Sequence, residues 1–273
     1  MKKNILIYTL FLVGFFFNIP AICQEKEQRV IVETSLGNMT FKLYNDTPQH
    51  RDNFIRLARE GQYDGTLFYR VVKNFMIQGG SSDSRNARPG QALGYGQEIN
   101  IPAEIRNNHY HKKGALAAPR QPDNMNPKKE SDISQFYIVH GKKYTGEEID
   151  EYVKSINAPI KRAIQEKYYY PKKSILDSLR AQKNVPEFRK IAGQVKAQIN
   201  AEWAKNTQKI DMPENKRQDY INLGGCPHLD KEYTIFGEMI DGFEVLDRIA
   251  SLPTDKRSRP LNDVKIIHVK IVE

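Results

Sequence analysis

The thirteen residues Phe68-Tyr69-Arg70-Val71-Val72-Lys73-Asn74-Phe75-Met76-Ile77-Gln78-Gly79-Gly80 constrain the fold more than any other stretch. Two short apolar runs, residues 68–72 and 75–78, flank Lys73-Asn74 and end on paired glycines. Runs this short, bounded by turn residues, read as two strands joined by a turn rather than as helix. If Arg70 and Gln78 face the same side, they form a small polar pair beside Phe75 and Met76. Periodicity alone favours two ordinary strands with exposed polar residues.

The surrounding text is also mostly β. Residues 30–33, then Met39, Phe41 and Leu43 alternating with Thr40, Lys42 and Tyr44, predict a hairpin closed near Leu36-Gly37-Asn38. Thr47-Pro48 predicts an N-cap with proline in the first helical turn, Phe54, Leu57 and Ala58 share one helical face, and Gly61 supplies the stop. Residues 81–96, rich in Gly, Ser, Asn and Arg, read as a long surface loop. Further strands are expected at 114–118, 135–140, 233–239 and 264–272, and Val245, Leu246 and Ile249 mark a short helix. Between the two β-rich stretches, residues 141–222 change character. Thr145-Gly146-Glu147-Glu148 has the form of a capping box. Ile149, Tyr152, Val153 and Ile156 then repeat at helical spacing, and Phe188, Ile191, Val195, Ile199 and Trp203 form a longer stripe. The expected division is a leader at 1–23, a β-rich domain at 24–140 and 223–273, and a helical insertion at 141–222.

Charge and cysteine content narrow the function classes. The formal charge is +9. The insertion holds 17 basic and 11 acidic residues, and Lys2 and Lys3 belong to the leader. The basic excess is therefore a helical surface with interleaved acids, and no nucleic-acid partner is expected. Met1-Lys2-Lys3, an uncharged stretch from Ile5 to Phe17, and Ala21 and Cys23 near a cut follow the order of a secretory signal. A membrane span needs roughly 20 apolar residues, more than this stretch offers. The expected location is export to the periplasm, with a lipoprotein anchored through Cys23 as the alternative. Removal of Cys23 leaves Cys226 alone, so no internal disulfide is expected. His109-x-His111 and Cys226-Pro227-His228 imitate a zinc set, but no spacing rule links the halves, and no metal is expected.

The first stretch matches F-x-R-V-x-x-x-F-M-I-Q-G-G at every fixed position, and here the chain resembles the cyclophilin family of peptidyl-prolyl cis-trans isomerases. A second block runs from Gly114-Ala115-Leu116-Ala117-Ala118 to Ser134-Gln135-Phe136-Tyr137-Ile138. A third comprises Leu229-Asp230, Phe236-Gly237-Glu238-Met239 and Gly242-Phe243-Glu244-Val245-Leu246, in the family's order. The resemblance implies a mainly β fold, a closed eight-stranded antiparallel barrel capped by two helices, here carrying an α-helical insertion. It implies isomerisation of X-Pro bonds in proline-containing peptides and unfolded exported proteins, without cofactor or covalent intermediate.

That chemistry needs few groups. The barrier of about 18–20 kcal/mol reflects lost amide resonance, and a donor aimed at the prolyl nitrogen stabilises the twisted geometry selectively. By resemblance Arg70 is that donor, with Gln78 and Phe75 as its catalytic companions. Met76, Gln135, Tyr137, Leu229, His228, Tyr233 and Arg120 fall at substrate-binding positions. Three departures stand out. Ala118-Pro119-Arg120 replaces the family's Met-Ala-Asn, and Pro119 has no amide to donate. Tyr137 replaces a Phe. His228 and Tyr233 stand where the family often has Trp and His. These changes imply weakened binding of a cyclosporin-like ligand. A proline-peptide-binding chaperone with little turnover is the alternative function.

Overall fold

A computed structural model describes residues 26–95 and 100–272. Residues 1–23, where a leader is expected, lie outside the described residues, Cys23 among them. Eight strands form one antiparallel sheet: β1 (Arg29–Thr34), β2 (Gly37–Leu43), β3 (Arg70–Val72), β4 (Met76–Gly79), β6 (Ala115–Ala117), β8 (Phe136–Val139), β9 (Ile235–Asp241) and β10 (Ile266–Val272). Their spatial order is β10-β1-β2-β9-β6-β8-β4-β3, and β5 (Asn100–Ile101) pairs with β7 (Ser131–Asp132) as a separate ribbon.

The expected closed barrel is not formed. The sheet is an open half-barrel whose end strands β10 and β3 share no ladder. The chain just before β3 meets the approach to β10 instead, through one isolated bridge, Leu67 to Lys265. Flanking backbone bonds run from Phe68 N to Val264 O at 2.9 Å and from Ile266 N to Thr66 O at 2.8 Å. Strand β3 itself is only three residues long.

Alternation in the strands sorts side chains to two faces. One face carries the main core, including Val32, Phe41, Val71, Ile77, Leu116, Phe136, Ile138 and Phe236. Helix α1 (Pro48–Arg59) covers it beside β9 and β10, and α6 (Phe243–Ala250) beside β2, β3 and β4. Both helices stand where the sequence places them. Capping of α1 differs from expectation: Thr47 makes no side-chain cap. The amides of Gln49 and His50 instead donate to the Glu104 carboxylate at 3.2 and 3.0 Å, so a distant acid occupies the positive helix end. The opposite sheet face carries a smaller cluster of Met76, Ala117, Tyr137, Val139, Cys226 and Ile235.

Between β8 and β9 the chain is helical: α2 (Gly146–Tyr169), α3 (Lys173–Ala181), α4 (Val185–Lys205) and α5 (Glu214–Asn222). The capping box forms as expected, with Glu148 N donating to Thr145 Oγ1 at 3.1 Å and Thr145 N to Glu148 Oε2 at 2.8 Å. Helix α2 continues through Pro159, beyond the apolar pattern that announced it. The α4 stripe packs on α2 and α3, and of its members Val195 is buried. Asn157 clamps the return of the chain, donating to Ile210 O at 2.8 Å and accepting from Ile210 N at 2.9 Å. The two ends of the excursion cross at Gly141 (φ +64), where a Cβ would lie 2.3 Å from the Gly225 Cα. That close approach admits only glycine.

Candidate active site

Strand register builds the site. Arg70 pairs with Gln78 across β3 and β4, Gln78 with Tyr137 across β4 and β8, and Tyr137 with Ala117 across β8 and β6. Directly paired residues share a face, so Arg70, Gln78, Tyr137 and Ala117 form one row across four strands. This row borders a cavity of about 340 Å³ lined by Arg70, Phe75, Met76, Leu93, Pro119 and Tyr137, among others. That is within the range of small-ligand sites.

A hydrogen-bonded network orients the polar end. Arg70 Nη1 donates to Gln78 Oε1 at 3.2 Å, and the guanidinium lies 5.8 Å from the Phe75 ring centroid. Gln78 Nε2 donates to Tyr69 Oη at 2.6 Å and to Gln135 Oε1 at 3.1 Å, and the Tyr69 hydroxyl also donates to Gln135 Oε1. Gln135 Nε2 donates to Asp132 Oδ2 at 2.9 Å and to Gly94 O at 3.3 Å. Every amide atom of both glutamines is therefore engaged, which fixes the direction of the arginine. Burial raises the Tyr69 phenol well above its usual pKa, so it stays a neutral donor.

The apolar end is formed by Phe75, Met76, Tyr137, Leu229 and Tyr233, all lining the cavity. Arg120 closes one wall. Its guanidinium lies 4.9 Å from the Tyr233 ring centroid, with Nε on Glu232 O at 2.7 Å and Nη2 on Glu232 Oε2 at 2.9 Å. Its side chain is 5 % exposed, so the charge is spent on the wall rather than offered to a ligand.

Eight of the ten expected site residues line the cavity: Arg70, Phe75, Met76, Gln78, Arg120, Tyr137, Leu229 and Tyr233. Gln135 sits behind Gln78 as its partner. His228 is not in the lining; it stacks behind Phe75, with ring centroids 5.7 Å apart. The sequence reading missed Tyr69, Leu93 and Gly94. Tyr69 adjoins Arg70 in sequence, yet nothing in periodicity reveals its contact with both glutamines. At Gly94 (φ +88) a Cβ would lie 2.7 Å from the Tyr69 ring, a long-range contact that the local sequence does not show. Of the imitation zinc set, His109 binds Asp46 at 2.8 Å, His111 binds Asp230 and the Tyr137 hydroxyl, and Cys226 faces the Phe75 carbonyl. Burial pushes the Cys226 thiol up to about 12, leaving it inert.

A row of Arg, Gln and an aromatic across three strands stands beside an apolar pocket, an arrangement that can take an apolar ring attached to a polar backbone. The cyclophilin-type peptidyl-prolyl cis-trans isomerase family model matches residues 29–155 and 189–271. The chain belongs to this family and is a cyclophilin-type peptidyl-prolyl cis-trans isomerase. Among its relatives, a Staphylococcus haemolyticus protein assigned to the peptidyl-prolyl isomerases is 27% identical, over 91% of this chain and 93% of that one. A Streptococcus pyogenes protein named for both phosphatase and peptidyl-prolyl isomerase activities is 29% identical over 90% of this chain. The match spans only 39% of that longer relative. A Cryptosporidium parvum cyclophilin-type isomerase has a similar fold, with a TM-score of 0.52 and 21% identity over 90% of this chain and 98% of that one. The same protein has also been solved in the presence of the dipeptide Ala-Pro, with a TM-score of 0.51.

Proposed function

We propose that this isomerase acts on X-Pro bonds of proline-containing peptides and unfolded exported proteins in the periplasm. The observation that carries the reading is the Arg70–Gln78–Tyr137 row beside the apolar cavity. The proline ring enters among Phe75, Met76, Tyr137 and Leu229, where it needs fit and no charge. Arg70 then reaches the prolyl nitrogen as it turns pyramidal and regains its lone pair. Only an interaction stronger in that twisted state accelerates rotation, and the locked glutamines keep the donor ready for it. Rotation makes and breaks no covalent bond, so the reading asks for neither cofactor nor covalent intermediate.

Export rests on the order of basic, apolar and small residues in 1–23, with a lipid anchor at Cys23 as the alternative. Division into a β-rich domain at 24–140 and 223–273 and an insertion at 141–222 rests on the return of β-structure after α5. A cyclosporin-like ligand would bind weakly, because Pro119 offers no amide and Arg120 is folded onto Tyr233. The same closed wall favours the second reading, a proline-peptide-binding chaperone with little turnover. NMR exchange spectroscopy on a short Ala-Pro peptide decides between them. Faster cis-trans exchange with catalytic amounts of protein supports the enzyme; binding without faster exchange supports the chaperone.

A further inference from the structure

Behind Tyr137 runs a chain of buried polar groups that prolyl rotation does not itself require. The Tyr137 hydroxyl is 2.9 Å from Nε2 of His111, a side chain with no exposed surface. Nδ1 of the same ring is 3.1 Å from Asp230 Oδ1, which also accepts the His111 amide at 2.9 Å. The other carboxylate oxygen, Oδ2, accepts from Tyr220 Oη at 2.7 Å and Lys216 Nζ at 2.6 Å. Both of those donors belong to α5, the last helix before the chain returns to the sheet.

The chemistry of each group fixes the proton order. A carboxylate can only accept, so His111 carries its proton on Nδ1. Burial holds the imidazole below its ordinary pKa, so it is neutral and Nε2 accepts the Tyr137 O–H. Burial alone would raise Asp230, but the His111 hydrogen bond and the Lys216 charge outweigh it and keep the acid ionised. The imidazole and the Tyr137 ring are parallel within 7°, with centroids 6.0 Å apart. Tyr233 meets both edge-on at 6.2 and 5.9 Å. Buried, satisfied networks of this kind fix each member through its neighbour. Tyr137 and Tyr233 are pocket surfaces, so the chain ends at the substrate.

We propose that α5 holds the floor of the proline pocket through Lys216 and Tyr220 on Asp230, Asp230 on His111, and His111 on Tyr137. Asp230 and His111 are then positioning residues for X-Pro binding, and the helical segment has a task at the active site. This rests on the isomerase reading of the cavity. Tyr137 meets the proline ring in ground state and transition state alike. Loosening it therefore raises KM and leaves kcat nearly unchanged.

The test uses the full chain and a double-mutant cycle. In Lys216→Met/Tyr220→Phe, KM for an Ala-Pro tetrapeptide, or its Kd by NMR titration, should rise roughly 3- to 10-fold, as expected for residues coupled in one network. Tyr137→Phe cuts the chain at its pocket end, and in that background the α5 substitutions should leave KM unmoved. Tyr220→Phe alone is the milder variant should the double one fail to fold. A purely structural α5 would lower Tm without moving KM, or would raise KM by the same factor in both backgrounds; either result overturns the proposal. Nitrogen-15 NMR of the wild-type ring provides a readout without substrate: His111 protonated on Nε2 instead of Nδ1 also overturns it. A wild type that binds Ala-Pro peptide without turning it over would sink the isomerase reading, while the Kd cycle and the ring measurement still decide this one.

Discussion

Arg70→Ala separates catalysis from folding, and the structure sets both magnitudes. Arg70 is half-buried on a three-residue edge strand. Truncation removes its hydrogen bond to Gln78 and its contact with the Phe75 ring. The hydrogen bond has a charged donor and contributes about 1.5–3 kcal/mol net, and the half-buried cation–π contact about 0.5–1, so the folded state loses roughly 2–4 kcal/mol. A domain stable by about 5–15 kcal/mol stays folded. A preorganised donor aimed at the reacting centre is worth about 10²–10³ in kcat, or roughly 2.7–4 kcal/mol. kcat for a Suc-Ala-Ala-Pro-Phe-type peptide should therefore fall 10²- to 10³-fold, with KM moving little. Arg70→Lys keeps the charge but loses the planar fork, and should fall between. The measurements are NMR exchange or protease-coupled kinetics, peptide Kd by titration, and circular dichroism. Unchanged kcat/KM in a variant with native dichroism would refute the role of Arg70. A loss matched entirely by weaker peptide binding would show instead that it holds the ground state.

The other expectations concern the loop, the buried histidines, the closed wall and the helices. Gly94→Ala forces a Cβ against the Tyr69 ring at φ +88, so Tm should drop and KM rise; a variant with wild-type values would refute the close approach. His50 and His111 are held below their ordinary pKa by burial. Their contribution is complete above about pH 6.5 and declines as pH falls from there to the folded-state pKa, with a slope of at most about 1.4 kcal/mol per pH unit for each histidine, because the unfolded chain takes up protons that the folded chain refuses. Urea midpoints at pH 7.5 and 5.5 check this, and equal midpoints count against it. Calorimetry with a cyclosporin-like ligand should give weaker binding than in family members that carry Met-Ala-Asn at this wall. Replacing residues 158–209 with a short Gly/Ser linker, inside the Asn157–Ile210 clamp, should preserve tetrapeptide turnover, whereas removing all of 141–222 also deletes Lys216 and Tyr220 and should raise KM.

Much of this was legible in the chain, for identifiable reasons. Alternation fixed the strands that carry one apolar and one polar face, such as β2, whereas it left open whether Arg70 and Gln78 share a side, which the β3–β4 register answers. The capping box at Thr145 and Glu148 is a local device, so sequence carried it fully. Long-range satisfaction was hidden. Nothing near Thr47 shows that Glu104 will cap α1, and nothing near Tyr137 shows that His111 and Asp230 stand behind it. The closed barrel was implied by the family resemblance and not by alternation, which reports faces and is silent on whether β3 pairs with β10; in the fold the two share no ladder. In sequence, Tyr137 in place of Phe adds only a hydroxyl. In the fold that hydroxyl is the end of a buried network, and its neighbours lie 26 and more residues away.

The placement of the helical segment and the make-up of the site are one structural fact. The chain leaves β8 immediately after the strand that carries Tyr137 and returns just before Leu229 and Tyr233. Its root is pinned to the turn that presents Phe75. The Phe75 carbonyl accepts the amides of His140 and Gly141, each at 3.0 Å, and faces Cys226 Sγ at 3.5 Å. Gly141 and Gly225 cross too closely for any side chain. A displacement of the helices that moved this crossing would therefore move the Phe75 carbonyl, and with it the ring packed against Arg70 and His228. Close-packed contacts transmit such shifts because they have no slack to absorb them. Helices joined at this junction thus touch the pocket twice, through the backbone at Phe75 and through Asp230 and His111 at Tyr137. Insertion at a distant loop of the same sheet, such as the turn between β1 and β2, would touch it at neither point.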